Sequence, residues 1–251
     1  MRKFGPIAFK NDYENEEEDL SSFGPINAKG NLTVRSAKTF GPLKANENLT
    51  AEFIKTNGPL TCGGSIFAEE IRVNGPMTVE ENLKADEIKV NGPASIEGSV
   101  EIGTGQINGP FKAQGVKVDA IRVNGPFEAK NIDGAVIRIN GPIDVVESVI
   151  ASEEILIGVS SGSSASEKDP INAQLLKAPL VAIRGRDSSF LGRILSRFTA
   201  RRSEDDILVE TAVPIEADEV ILNSVRHTGK IIAKNIVLEN GAEYTGEGSS
   251  E

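Results

Sequence analysis

The stretch Asn57–Val73, NGPLTCGGSIFAEEIRV, runs without a gap into Asn74–Val90, NGPMTVEENLKADEIKV. Aligned from their asparagines, the two units match Leu60 with Met77, Cys62 with Val79, Ile66 with Leu83, Ala68 with Ala85, Ile71 with Ile88 and Val73 with Val90. Each unit therefore carries three apolar-x-apolar triplets joined by short polar segments. A spacing of two is the alternation of a strand, not the repeat of a helix. Short strands of this kind cannot bury their apolar faces alone. Stacking each strand in parallel on its copy one unit later solves the problem. The pattern predicts an all-β fold, a parallel β-helix with three short strands per coil of roughly 17 residues and six inward side chains.

The corner that opens each unit recurs through the chain. Its glycines are Gly5, Gly24, Gly41, Gly58, Gly75, Gly92, Gly109, Gly125 and Gly141, at intervals of 19, then 17 five times, then 16 twice. The first three corners read Phe-Gly-Pro and the last six Asn-Gly-Pro. Proline has no N–H and belongs at a bend, outside a parallel ladder. Glycine permits the backbone angle of the bend, and stacked asparagines can hydrogen-bond along the axis. Collagen is excluded, since glycine does not recur at every third residue.

The expected organisation is one β-helix domain over 1–251, interrupted at three places. Residues 11–22 form an acidic loop in the first coil, 158–169 a Ser/Gly-rich linker, and 184–206 an arginine-rich amphipathic helical insertion. A coil from Pro170 would turn Ile171, Ala173, Leu176, Ala178, Val181 and Ile183 inward, and the pattern resumes at Ile207. No cap is evident before Phe4, and only a short polar tail follows Gly246.

Composition bounds the function. A net charge of −10 argues against nucleic acid as the main partner. No apolar run reaches the length of a membrane span. The single cysteine, Cys62, excludes an intramolecular disulfide and fits a reducing compartment, so the expected location is the cytoplasm. Candidate chemistry is sparse. His227, the one histidine, is expected at an exposed corner, and Cys62 occupies an inward position. The carboxylates lie mostly in linkers, and neither a Gly-rich phosphate loop nor a metal-ligand cluster is present. The reading assigns no catalytic, cofactor-binding or metal residue, no cofactor and no small-molecule substrate.

Two surface features stand apart from the core pattern. The outward residue of the third strand reads Lys38, Lys55, Arg72, Lys89, Gln106, Arg122 and Arg138 down the stack, a basic stripe at about one coil spacing, ~4.8 Å. Acidic residues such as Glu69, Glu70, Asp86 and Glu87 precede it and would neutralise it locally. In RGRDSSFLGRILSRFTARR, from Arg184, the residues Phe190, Leu191, Ile194, Leu195 and Phe198 gather on one helical face. With Arg193, Arg197, Arg201 and Arg202 they form a candidate docking element for an anionic membrane surface or a partner; packing on the solenoid's own flank is the alternative.

The segment Gly229–Leu238, GKIIAKNIVL, followed by ENGAEYTG, resembles the bactofilins, a family of polymer-forming cytoskeletal proteins. The resemblance implies a right-handed, roughly triangular β-helix that polymerises end to end without nucleotide. It also implies a scaffold role, often on the inner face of the membrane. The insistent Asn-Gly-Pro corner departs from the family's usual pattern. The expected function is a non-enzymatic scaffold that self-associates through its terminal coils, with Ile231, Ala233, Ile236 and Leu238 at the assembly interface. The alternatives are a monomeric binding module displaying the basic stripe and arginine-rich segment, and a carbohydrate-active enzyme on a β-helix.

Overall fold

The computed structural model describes residues 2–160, 169–186, 208–246 and 248–249. They are all-β, and no helix occurs among them. Where one domain is expected from the sequence, the chain divides into two compact units, Met1–Gly134 and Ala135–Glu251. Each is a parallel β-solenoid. The arginine-rich helix expected at 184–206 lies outside the described residues from 187 onward, and strand Leu175–Arg186 takes in its first three residues. The linker expected at 158–169 is likewise strand up to Ser160, and 161–168 lie outside the described residues.

In the first unit the repeat pairs as the apolar triplets require. Leu60–Cys62, Met77–Val79 and Ala94–Ile96 stack in parallel, residue on equivalent residue. The second and third triplets, however, do not form separate strands. They run together as single eight-residue strands, among them Leu49–Thr56, Ile66–Val73 and Leu83–Val90. Two consecutive outward residues, Glu52-Phe53 or Asp86-Glu87, bend each strand, and the ladder skips only the first of the two. With neither glycine nor proline there, the backbone stays extended and keeps its hydrogen bonds through the corner.

The core is packed by volume exchange within each coil. On the short strands the two inward residues are Leu60 with Cys62, Met77 with Val79, Ala94 with Ile96, Phe111 with Ala113 and Phe127 with Ala129, all buried. Phe111 and Phe127 are each matched by an alanine, and Ala94 by the larger Ile96, as close packing demands.

The Gly-Pro corner differs from expectation in its cause. A Cβ on Gly92 would lie 2.6 Å from the carbonyl oxygen of Gly75, and one on Gly109 would lie 2.6 Å from that of Gly92. Gly5, with no corner beneath it, has nothing within 4 Å. The glycine is required chiefly by the coil below it, and the left-hand φ of Gly92 and Gly109, +156° in each, adds to the demand. Around the corner two chemistries succeed one another. Phe4, Phe23 and Phe40 stack with centroids 5.4 and 5.1 Å apart, and the hydroxyls of Ser22, Thr39 and Thr56 donate to the carbonyls of Gly5, Gly24 and Gly41. From Asn57 onward an amide ladder takes over. Asn74 donates to Asn57 at 2.9 Å, Asn91 to Asn74 at 2.7 Å, Asn108 to Asn91 at 2.8 Å and Asn124 to Asn108 at 2.7 Å.

The expected acidic loop is a strand, Tyr13–Ser22, with a bulge between Asn15 and Asp19. The first coil carries larger inward residues than the coil after it. Phe9 and Tyr13 occupy the inward positions held one coil later by Ala28 and Leu32, and their rings stack at 4.0 Å. The Tyr13 hydroxyl donates to Glu18 in the bulge. Aromatic bulk fills the first coil where later coils need only alanine and leucine.

In the second unit Leu175–Arg186, Ile215–Asn223 and Ile231–Glu239 pair in parallel on one face, and Val209–Thr211, Val225–His227 and Glu243–Tyr244 on another. Gly248–Ser249 pairs with Ile231 and Ile232, so the tail covers the beginning of the last long strand.

Candidate functional site

His227 is not at an exposed corner. The corner falls at Ser224, whose φ is +54°, and His227 follows on the inward face of Val225–His227, fully buried. It stacks in register between Thr211 and Tyr244, with the tyrosine ring centroid 6.0 Å away. Neither ring nitrogen has a hydrogen-bond partner. Burial pushes its pKa down from 6.5 to about 4, so at neutral pH it is an uncharged core residue. An imidazole walled in this way cannot reach a substrate. Cys62 is inward and buried, and burial raises its thiol to about 11, which leaves no thiolate at neutral pH.

A shallow concavity of ≈ 260 Å³ lies beside the stacked prolines Pro76, Pro93, Pro110 and Pro126. Its charged groups are Lys112 and Glu128, which pair with each other at 3.4 Å. Among the described residues no group of three His, Cys, Asp or Glu side chains converges as a metal site. Nor is any helix among them long and apolar enough to cross a membrane.

The basic stripe is assembled within the first unit. Lys38 pairs in register with Lys55, Lys55 with Arg72, Arg72 with Lys89, Lys89 with Gln106 and Gln106 with Arg122, and all are exposed. Local neutralisation is partial. Arg72 is bridged to Glu70, and Lys38 sits over the Phe53 ring at 4.8 Å. Lys55, Lys89 and Arg122 make no ion pair among the described residues. Arg138 belongs to the second unit and bonds Glu154 at 2.9 Å. The docking set Phe190, Leu191, Arg193, Ile194, Leu195, Arg197, Phe198, Arg201 and Arg202 lies outside the described residues.

The four expected interface residues divide in two. Ile231 and Ala233 are buried, and the tail strand pairs with Ile231 and Ile232. Ile236 is half-buried, and Leu238 is 48% exposed although its register partner one coil earlier, Leu222, is fully buried. The tail strand thus pairs with the first two residues of Ile231–Glu239, and no strand pairs with the rest of that edge among the described residues. In the first unit Phe4 terminates its aromatic stack 85% exposed. Sequence reasoning missed this feature because Phe-Gly-Pro reads as a corner like its neighbours. The signal was the change from phenylalanine to asparagine at Asn57.

No family model matches the chain, and searches of curated proteins and of solved structures give no significant match.

Proposed function

We propose that the protein is a non-enzymatic β-helical scaffold that self-associates end to end through its terminal coils, without nucleotide. The observation that carries this reading is the exposed leucine of the last long strand. Leu238 presents to solvent the inward position that Leu222 buries completely one coil earlier. Burying the exposed half of this leucine against a second copy would recover about 1 kcal/mol. Among the described residues no strand pairs with the edge beside it, and such an edge invites another strand. The resemblance to bactofilins leads to the same reading, together with a right-handed coil and polymerisation in the cytoplasm, which the single thiol Cys62 also fits. Buried His227 and protonated Cys62 support a role other than catalysis.

Electron microscopy and sedimentation of purified protein test the proposal. The parent should form end-joined assemblies with and without nucleotide, and Leu238→Glu should abolish them while leaving the melting temperature nearly unchanged. A parent that remains monomeric at high concentration, or assembly untouched by Leu238→Glu, would refute it.

A further inference from the structure

The basic row has an acidic counterpart. One corner earlier on each long strand of the first unit stand Glu52, Glu69, Asp86, Gly103 and Asp119, three residues before Lys55, Arg72, Lys89, Gln106 and Arg122. The ladders that hold the basic row in register hold these residues beside one another too, since each lies between paired neighbours. Two parallel rows of opposite charge therefore run along one edge, about 10 Å apart at ~3.3 Å per residue. Glu52, Asp86 and Asp119 make no ion pair among the described residues, and neither do Lys55, Lys89 and Arg122. A strand side chain does not reach one three places away on the same strand, so the rows face solvent with their charges largely unspent.

We propose that this edge is a docking surface for a second copy of the chain, lying alongside the first with its coils running in the same direction. Facing two copies across a two-fold axis parallel to the coil axis brings the corner row of each against the basic row of the other, at equal heights. A two-fold axis across the coils would instead set carboxylate against carboxylate. Like charges held opposite one another are unfavourable, so the charge pattern selects the parallel arrangement.

A coincidence in the rows supports equal heights. The coil that lacks the corner acid, at Gly103, is the coil that lacks the cation, at Gln106. In the parallel pair these two neutral residues face one another. One coil departs from the pattern, with Arg35 at the corner and Lys38 in the basic row. There Arg35 is bridged within the chain to Asp19, which removes its charge from the contact. The neighbouring acidic row also tells against a flat anionic membrane as partner, since lipid headgroups would meet the carboxylates together with the cations.

The test uses the full chain carrying Leu238→Glu, so that end-to-end association is silent and its success or failure is scored separately. Sedimentation equilibrium at low salt should give a dimer, and 1 M NaCl, where the Debye length is about 3 Å, should return the monomer. Lys55→Glu/Lys89→Glu/Arg122→Glu has two acidic rows and should be monomeric. Glu52→Lys/Asp86→Lys/Asp119→Lys has two basic rows and should be monomeric too. An equimolar mixture of the two should recover the dimer, which neither folding damage nor altered net charge would produce. Should either triple variant fail to fold, Lys89→Glu and Asp86→Lys form the same test as a pair. Direction is read by cross-linking: Asp119→Cys mixed with Arg122→Cys should form a disulfide, whereas Asp119→Cys with Lys55→Cys, about 19 Å apart at ~4.8 Å per coil, should not. A monomeric parent at low salt, a dimer indifferent to both triple variants, or a mixture that stays monomeric would each overturn the proposal. So would co-sedimentation of monomer with anionic vesicles through Lys55, Lys89 and Arg122.

Discussion

Removing the buried imidazole should stabilise the second unit, and more so in acid. His227 is wholly enclosed, and both its nitrogens lack partners. An unsatisfied buried polar group costs about 1–3 kcal/mol, so His227→Leu, close in volume and without polar atoms, should gain about that much at pH 7.5. The pH dependence follows from the depressed pKa. Between 6.5 and about 4 the unfolded chain binds a proton at His227 that the folded chain does not. Stability is therefore lost as pH falls through 6.5, and the loss levels off below about 4. At about 1.36 kcal/mol per pH unit, the parent should lose about 2 kcal/mol more than the variant between pH 6.5 and 5. Asp169 works the other way, since burial raises its pKa and its protonation favours the folded chain, but it is common to both proteins and cancels in the difference. Urea titrations followed by tyrosine fluorescence suit the measurement. In a Tyr13→Phe background Tyr244, packed on His227, is the sole tyrosine reporter. Parallel pH profiles for parent and variant would refute the reasoning, and would mean that the imidazole is solvated.

Other substitutions probe the corner, the core and the ladder. Gly92→Ala, whose Cβ would meet the Gly75 carbonyl, should destabilise by about 1–3 kcal/mol in chemical denaturation, whereas Gly5→Ala should be nearly neutral; equal effects would show that the turn, not the stack, demands glycine. Ala85→Glu places a charge at a position 4% exposed and should cost several kcal/mol, read as a lowered melting temperature. Asn91→Ala breaks two amide bonds of an exposed ladder, and a loss of about 1–2 kcal/mol is expected in the same assay. Leu238→Glu should leave the melting curve nearly unmoved while removing end-joined assemblies in sedimentation.

Legibility followed the period. Where coils keep 17 residues, a residue's neighbours along the axis are read by counting. The inward columns, the amide ladder from Asn57 and the basic row from Lys38 to Arg122 could thus be listed from the sequence and recur in the structure. Counting gives neighbours along the axis and says less about a bend. Glu52-Phe53 read as a linker between two strands, but two outward residues in succession are enough to turn an extended backbone without ending it. The same limit hid the reason for glycine, because the clash at Gly92 comes from a carbonyl one coil below.

The irregular coils show the other side of the argument. His227 was misplaced because its corner, Asn223-Ser224, is one residue shorter than Asn-Gly-Pro, so the inward pair Val225 and His227 begins one position early. The pair was nevertheless present as a repeat, since Val209-x-Thr211 stands sixteen residues earlier, in register with Val225-x-His227. A column of threonine, histidine and tyrosine is poor filler for an apolar interior. The first coil has the opposite composition, with Phe9 and Tyr13 stacked across its interior. The first unit thus begins with aromatic bulk, while the second unit keeps a polar, weakly satisfied column beneath an exposed leucine. Association through the coil of Leu238 would bury that leucine against a second copy and cover the column in which Thr211 and His227 lack hydrogen-bond partners.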